Sequence, residues 1–194
     1  MPAYDPHSVL IVVDMQNDFA DPAGSLYVES GGGLVGPVNR EIIRATSAGA
    51  FVVYTQDWHP GSTPHFEKDG GIWPVHCVED SWGAELHPRL IVAGPVVKKG
   101  SNGEDGYSGF TVRDPSSGRE SPTEMAGLLH QHGATSVLVV GLALDYCVGA
   151  TARDAAAAGF RTRISLDHTA AVDLAPGDGT RMVEALAREN VEIG

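Results

Sequence analysis

Cys147, Asp14 and the adjacent pair Lys98 and Lys99 are residues whose types could make and break a covalent bond. A cysteine becomes a strong nucleophile once its proton is removed, and a nearby carboxylate can take that proton. A lone cysteine is more often a small buried hydrophobe, and Cys77 reads that way. Cys147 differs in its setting, because the apolar run 137–140 leads through Gly141-Leu-Ala-Leu-Asp-Tyr-Cys147 into an alanine-rich segment. A sulfur at such a passage from strand to helix lies near the positive helix end, which favours thiolate. Asp14 ends the first apolar run, a place where aspartate commonly caps a turn. Beside a thiol it is a general base. Strand alternation sends only one of Lys98 and Lys99 toward a given face, so one reaches the site and the other is a solvated charge; spacing does not choose between them.

A second group could hold a metal. Asp57 and His59 follow the second apolar run, with His65 and then His76 further along. One histidine alone is usually a satisfied polar residue, but a carboxylate with three imidazoles in so short a stretch suits zinc, iron or manganese rather than a hard cation.

These side chains need a scaffold that gathers them. Apolar runs at 9–13, 51–55, 96–98, 137–140 and 161–166, with a short closing strand near Val191, are continuous rather than alternating, as strands buried on both faces of a parallel sheet must be. Helical patterns lie between them. Residues 34–48 carry Val35, Val38, Ile42 and Ala45 at helical spacing before Gly49, and 151–158 is a thin alanine-rich helix ending at Gly159. Ser121-Pro-Thr-Glu124 reads as a capping box that starts a helix ending before Gly133, and Asp178 begins the last helix. The expectation is an α/β fold, an open, mainly parallel six-stranded sheet with helices on both faces, in one domain spanning 1–194. Ligands of such sheets bind beyond the carboxyl ends of the strands, where Asp14, Asp57, the lysines and Cys147 all fall. The segments 60–88 and 100–120 lack periodicity, and long connections of that kind are usually functional.

Thirteen basic and twenty-five acidic residues leave a formal charge of −12, which repels nucleic acid and anionic membrane surfaces. No leader pattern or apolar span of roughly twenty residues is present, so a cytoplasmic protein is expected. The two cysteines form no CxxC or repeated spacing, which argues against a disulfide framework.

Asp14-Met-Gln-Asn-Asp-Phe19, Gln56-Asp-Trp-His59, Trp73-Pro-Val-His-Cys77, Lys99-Gly100, Tyr107-Ser-Gly-Phe110 and Gly141-Leu-Ala-Leu-Asp-Tyr-Cys147 resemble, in order and over nearly the whole chain, the motifs of nicotinamidases within the isochorismatase-like cysteine hydrolases. The resemblance implies Cys147 as nucleophile, Asp14 as general base and Lys99, because it precedes the glycine, as the lysine of the triad. It implies Asp57, His59 and His76 as ligands of a divalent metal, with His65 where only some members have a fourth. Phe19, Trp73 and Tyr107 match the aromatic pocket walls. Tyr146 stands where several members have histidine, and the 100–106 loop is longer than in some relatives, which bears on the ring substituents accepted. The peptide before Ala143 matches a cis bond, and the N–H groups of Ala143 and Cys147 match the oxyanion hole. The implied reaction deamidates nicotinamide through a cysteine thioester, with the metal orienting the pyridine ring. A small aromatic amide is the implied partner, and a homo-oligomer is compatible with it. Alternatives are an amidase for another small amide, an isochorismatase-type hydrolase acting on a vinyl ether, and a catalytically silent scaffold.

Overall fold

The computed structural model describes residues 4–194. Six parallel strands form one sheet in the order β3-β2-β1-β6-β7-β8, with β1 Ser8–Val13, β2 Phe51–Asp57, β3 Val96–Lys99, β6 Ser136–Leu142, β7 Arg161–Ala170 and β8 Glu192–Ile193. Each expected strand is present, and most run a few residues longer, because hydrogen-bond pairing extends past the apolar run that signals it. A separate antiparallel hairpin, β4 Thr111–Arg113 with β5 Glu120–Pro122, begins inside the 100–120 segment, ends just past it and carries no apolar pattern that would have marked it.

The continuous apolar runs have a direct structural cause. Along β1, Val9, Ile11 and Val13 enter one core with Val53, Val97, Val137 and Val139, while Leu10 and Val12 enter the other with Val52, Tyr54 and Val140. The pleat alternates, but both faces are buried. Helix α2 Gly31–Ser47 covers one face through Val35, Val38, Ile42 and Ala45. Helices α3 Met125–Gln131, α4 Gly149–Ala157 and α5 Asp178–Arg188 cover the other through Met125, Leu129, Ala152, Ala155 and Leu186. The short helix α1 Asn17–Ala20 sits directly after β1.

Helix starts differ from the sequence reading at α2, α3 and α4, the last beginning at Gly149 rather than at residue 151. α2 starts at Gly31, not at residue 34, because its first turn packs against α1 so closely that a Cβ on Gly31 would lie 2.8 Å from the Phe19 carbonyl oxygen. Gly31 and Gly32, ahead of the apolar spacing that marks the helix, are what that approach requires, since a Cβ on Gly32 would likewise lie 2.9 Å from the Ala20 carbonyl oxygen. α3 starts at Met125, and Ser121 does not cap it, since Ser121 pairs with Val112 in the hairpin. Thr123 supplies the local hydroxyl instead: its Oγ1 accepts from the Met125 N–H at 3.1 Å and donates to the Gly109 carbonyl at 2.6 Å. Among the described residues, no helix is long and apolar enough to cross a membrane.

Candidate active site

Strand register assembles the site at the carboxyl ends of the sheet. Val13 pairs with Gly141 across β1 and β6, so Asp14 and the turn leading to Cys147 leave the sheet side by side. Asp57 pairs with Lys99 across β2 and β3, which puts their side chains on the same face. That register also decides between the lysines. Lys99 is buried, whereas Lys98 points outward and lays its Nζ 3.2 Å from the centroid of the Trp58 ring. Gly141 has φ of +109° and lies so close to β1 that a Cβ would sit 2.1 Å from the Val13 carbonyl oxygen. Asp14 itself adopts a left-handed φ of 45°, a conformation aspartate tolerates better than most residues, and this turns its carboxylate out of the strand.

Lys99 Nζ stands 2.8 Å from Asp14 Oδ2 and 3.5 Å from Cys147 Sγ, and it also contacts Asp57 Oδ1. The reactive atoms of Asp14, Asp57 and Cys147 lie within 4.8 Å of one another. Thr55 Oγ1 donates to Asp14 Oδ1 at 2.6 Å, fixing the carboxylate plane. Burial opposes a charge on Lys99, but Asp14 and Asp57 outweigh it and keep the ammonium protonated. Burial pushes the Asp14 carboxyl up, with Lys99 pulling against it. Burial would raise Asp57 too, yet Lys99, His59 and His76 together hold it well below the usual carboxylate range.

Cys147 lies in a wide π-helical turn, Leu144–Val148, that runs straight into α4. The thiolate expected from a helix start is not the resting state: burial pushes the thiol well above its ordinary value, and the Lys99 attraction does not overcome that together with the opposing Asp14 and Asp57 charges. Cys77 is fully buried and also raised by burial, as a small hydrophobe would be.

Beside this cluster, one nitrogen from each of His59, His65 and His76 lies within 4.8 Å of the others. Asp57 Oδ2 is 3.7 Å from His59 Nε2 and 3.9 Å from His76 Nε2, so Asp57 joins the two groups, one oxygen to each. The Nδ1 of His76 faces the Pro74 carbonyl at 2.8 Å, which places its proton there and leaves the Nε2 lone pair free. Burial lowers its pKa to about 4, keeping the ring neutral as a ligand must be. Both ring nitrogens of buried His59 lack a hydrogen-bond partner. Such orphaned groups are costly, and a divalent cation among these donors answers the deficit, so the residues fit a metal.

Phe19, Trp73, Tyr107, Tyr146, Ala143 and Cys147 all line one cavity with Asp57, His65 and His76. Trp73 Nε1 donates to the Tyr107 hydroxyl at 3.1 Å, and Tyr146 meets both rings nearly edge-on, at 4.9 and 5.2 Å between centroids. Leu26, Val28, Leu142 and Val172 complete the wall and were not foreseen. The Leu142–Ala143 peptide is cis.

Several supporting residues also escaped the sequence reading. Gln16 clamps Asp57 through both backbone groups, its Oε1 accepting from the Asp57 N–H and its Nε2 donating to the Asp57 carbonyl, each at 2.8 Å. Asp18 accepts from the Cys77 N–H at 2.7 Å and the Ser25 N–H at 3.0 Å, tying the loop that carries His76 to α1. Asp105 Oδ1 lies 2.8 Å from His65 Nδ1. The signal for Gln16 and Asp18 was their place inside the Asp14–Phe19 string; Asp105 left none.

The isochorismatase domain family matches residues 8–188. A nicotinamidase from Saccharomyces cerevisiae is 34% identical, with 95% of this chain and 97% of the relative aligned. Among solved structures, the chain is similar to the pyrazinamidase of Pyrococcus horikoshii in complex with zinc, at a TM-score of 0.87 and 35% identity, covering 97% of this chain and 99% of that one. It is similar also to PnC1 from L. infantum in complex with nicotinate, at a TM-score of 0.89 and 38% identity, covering 100% and 95%.

Proposed function

The chain belongs to the isochorismatase family, and from that membership we propose that it is an amide hydrolase that converts nicotinamide to nicotinic acid and ammonia through a thioester on Cys147. The observation that carries this reading is the meeting of Cys147, Asp14 and Lys99 at the end of a mostly apolar cavity walled by Phe19, Trp73, Tyr107 and Tyr146.

The roles follow from the chemistry of the groups. Cys147 rests as a thiol, so its proton must leave as the sulfur attacks the carboxamide carbon. Asp14 takes that proton, and a carboxyl raised by burial is a stronger base than one in water. Lys99 stays cationic throughout and stabilises the negative charge that passes between sulfur and carboxylate. The N–H groups of Ala143 and Cys147 hold the oxyanion, where a lost donor costs roughly 3–4 kcal/mol of transition-state stabilisation. Asp14 then gives its proton to the departing nitrogen, ammonia leaves, and the acyl group remains on sulfur. A water that loses its proton to Asp14 attacks the thioester, the acid departs and Cys147 recovers its proton.

Asp57, His59 and His76, with His65 as a fourth, are the residues that would hold a divalent metal, zinc among the candidates. When bound, such an ion supplies a Lewis-acidic contact for a ring nitrogen and so orients the substrate. The aromatic walls suit a flat ring. Among the described residues, none lining the cavity is arginine or lysine, which disfavours an amide that carries its own carboxylate.

Ammonia release from nicotinamide, compared with aliphatic and carbamoyl amides, tests the reading. Nicotinamide is expected to rank first, and Cys147→Ala to lose at least about a thousandfold in turnover. Preference for a carbamoyl amino acid, or a variant that keeps its rate, overturns it.

A further inference from the structure

His65 enters the metal cluster from the 60–88 segment, which has no regular strand to hold it, and its orientation therefore depends on what grips the other side of its ring. That grip is Asp105. One carboxylate oxygen, Oδ1, lies 2.8 Å from His65 Nδ1 and also accepts from the Gly106 N–H at 2.8 Å. The other oxygen, Oδ2, accepts from Arg113 Nη2 at 2.7 Å. The backbone is held as well: Asp105 and Arg113 exchange both N–H to carbonyl bonds, at 2.7 and 2.6 Å, in an antiparallel bridge that continues β4. The hairpin thus acts as a buttress on Asp105, and Asp105 on the histidine.

A carboxylate only accepts, so the His65 proton sits on Nδ1 and the lone pair on Nε2. Nε2 is then the atom available to a metal beside His59 and His76. Carboxylates that receive the second N–H of a ligating imidazole fix its tautomer and ring plane and raise its basicity. We propose that Asp105, pinned by Arg113, is a positioning residue that presents His65 to the metal, so that the β4–β5 hairpin sets whether the site has a fourth protein donor. Asp105 is also two residues before Tyr107, whose ring walls the cavity. The same anchor therefore registers the metal donor and the aromatic wall against each other. This rests on the metal reading of the site proposed above.

The test is zinc affinity, by competition with a chromophoric chelator, for the whole protein and for Asp105→Ala, Asp105→Asn, His65→Ala, Asp105→Ala/His65→Ala and His59→Ala. Removing a partner of this kind typically weakens metal binding by about 10–100-fold. Asp105→Ala is expected to fall by that range to the level of His65→Ala, and the double variant to fall no further. Asp105→Asn keeps the backbone bridge and an acceptor for Nδ1–H, and is expected between wild type and alanine. A long-range 1H–15N spectrum of the metal-free protein should show His65 protonated on Nδ1, with that form lost in Asp105→Ala. Affinity unchanged in Asp105→Ala while His65→Ala weakens, losses that multiply in the double variant, or an unaltered tautomer each overturns the inference. An affinity untouched by His59→Ala as well would instead remove the metal reading itself, and this inference with it.

Discussion

At the scale of single residues, the site is a problem in placing buried charge. Lys99 is a cation set among two carboxylates and a thiol, and its pairing with each holds the cluster together. Because burial holds Cys147 as a thiol before substrate arrives, its alkylation by iodoacetamide at pH 7 should be slower than that of free cysteine. The rate should climb with pH as the small thiolate fraction grows, since a raised pKa moves the thiolate population to higher pH. Intact-mass kinetics between pH 6 and 10 read this directly, and fast, pH-independent labelling would show a preformed thiolate instead. Gln16 gives a second prediction. Gln16→Leu leaves the buried Asp57 N–H and carbonyl without the partners they have now, at about 1–3 kcal/mol for each unsatisfied group. Urea unfolding of the metal-free variant should show a loss of about 2–6 kcal/mol for the two groups together; no loss would mean that another group takes over the clamp.

At the scale of elements, function depends on how closely pieces can approach. α1 and α2 touch through the glycine at the start of α2, and this contact sets where Phe19 stands in the cavity wall. Gly31→Val should therefore cost about 1–3 kcal/mol through overpacking, whereas Gly33, with open space around its Cβ position, should tolerate alanine and gain up to about 1 kcal/mol in helix propensity. Thermal melts of the two variants separate the explanations: equal behaviour at both positions would make the glycines a matter of helix propensity alone. The hairpin teaches the same lesson from the other side. Its three-residue strands are exposed or half-buried and carry no apolar alternation, yet they hold Asp105 and displace the start of α3 to Met125.

At the scale of the whole molecule, the 60–88 connection is fastened at the site as well as to α1, where Asp18 accepts from the Cys77 N–H and Asn17 donates to the Trp82 carbonyl. The 60–88 segment brings His65 and His76 to Asp57 at the end of β2, so a metal bound there would join the loop to the sheet. A ligand that binds only the folded state stabilises by mass action, by about 2.7 kcal/mol at a hundredfold excess over its Kd. Removal of metal by a chelator should lower the melting midpoint and speed proteolytic nicking within 60–88, with both restored by added zinc. A His59→Ala protein should show neither change on chelation. A wild-type midpoint indifferent to chelator and to zinc would show that the loop holds itself.

Much of this arrangement is legible in the order of residues along the chain. Five apolar runs and a short closing strand announced a parallel sheet because burial on both faces demands continuous apolar strands, and Asp14, Asp57, His59 and Cys147 stood just past the ends of those runs, where such sheets gather ligands. What the chain order could not carry was everything set by register and by close approach. The pairing of Asp57 with Lys99 across two strands chose the buried lysine and made Asp57 the link between the thiol cluster and the histidines. Burial reversed the expected charge state of Cys147, since desolvation depends on how completely the surroundings close over the sulfur. The grip of Asp105 on His65 joins residues forty apart in the chain, from two connections on either side of β3. Local patterns encode which face of an element is apolar; which atoms then meet depends on three-dimensional packing, and that is settled only when the elements fold against one another.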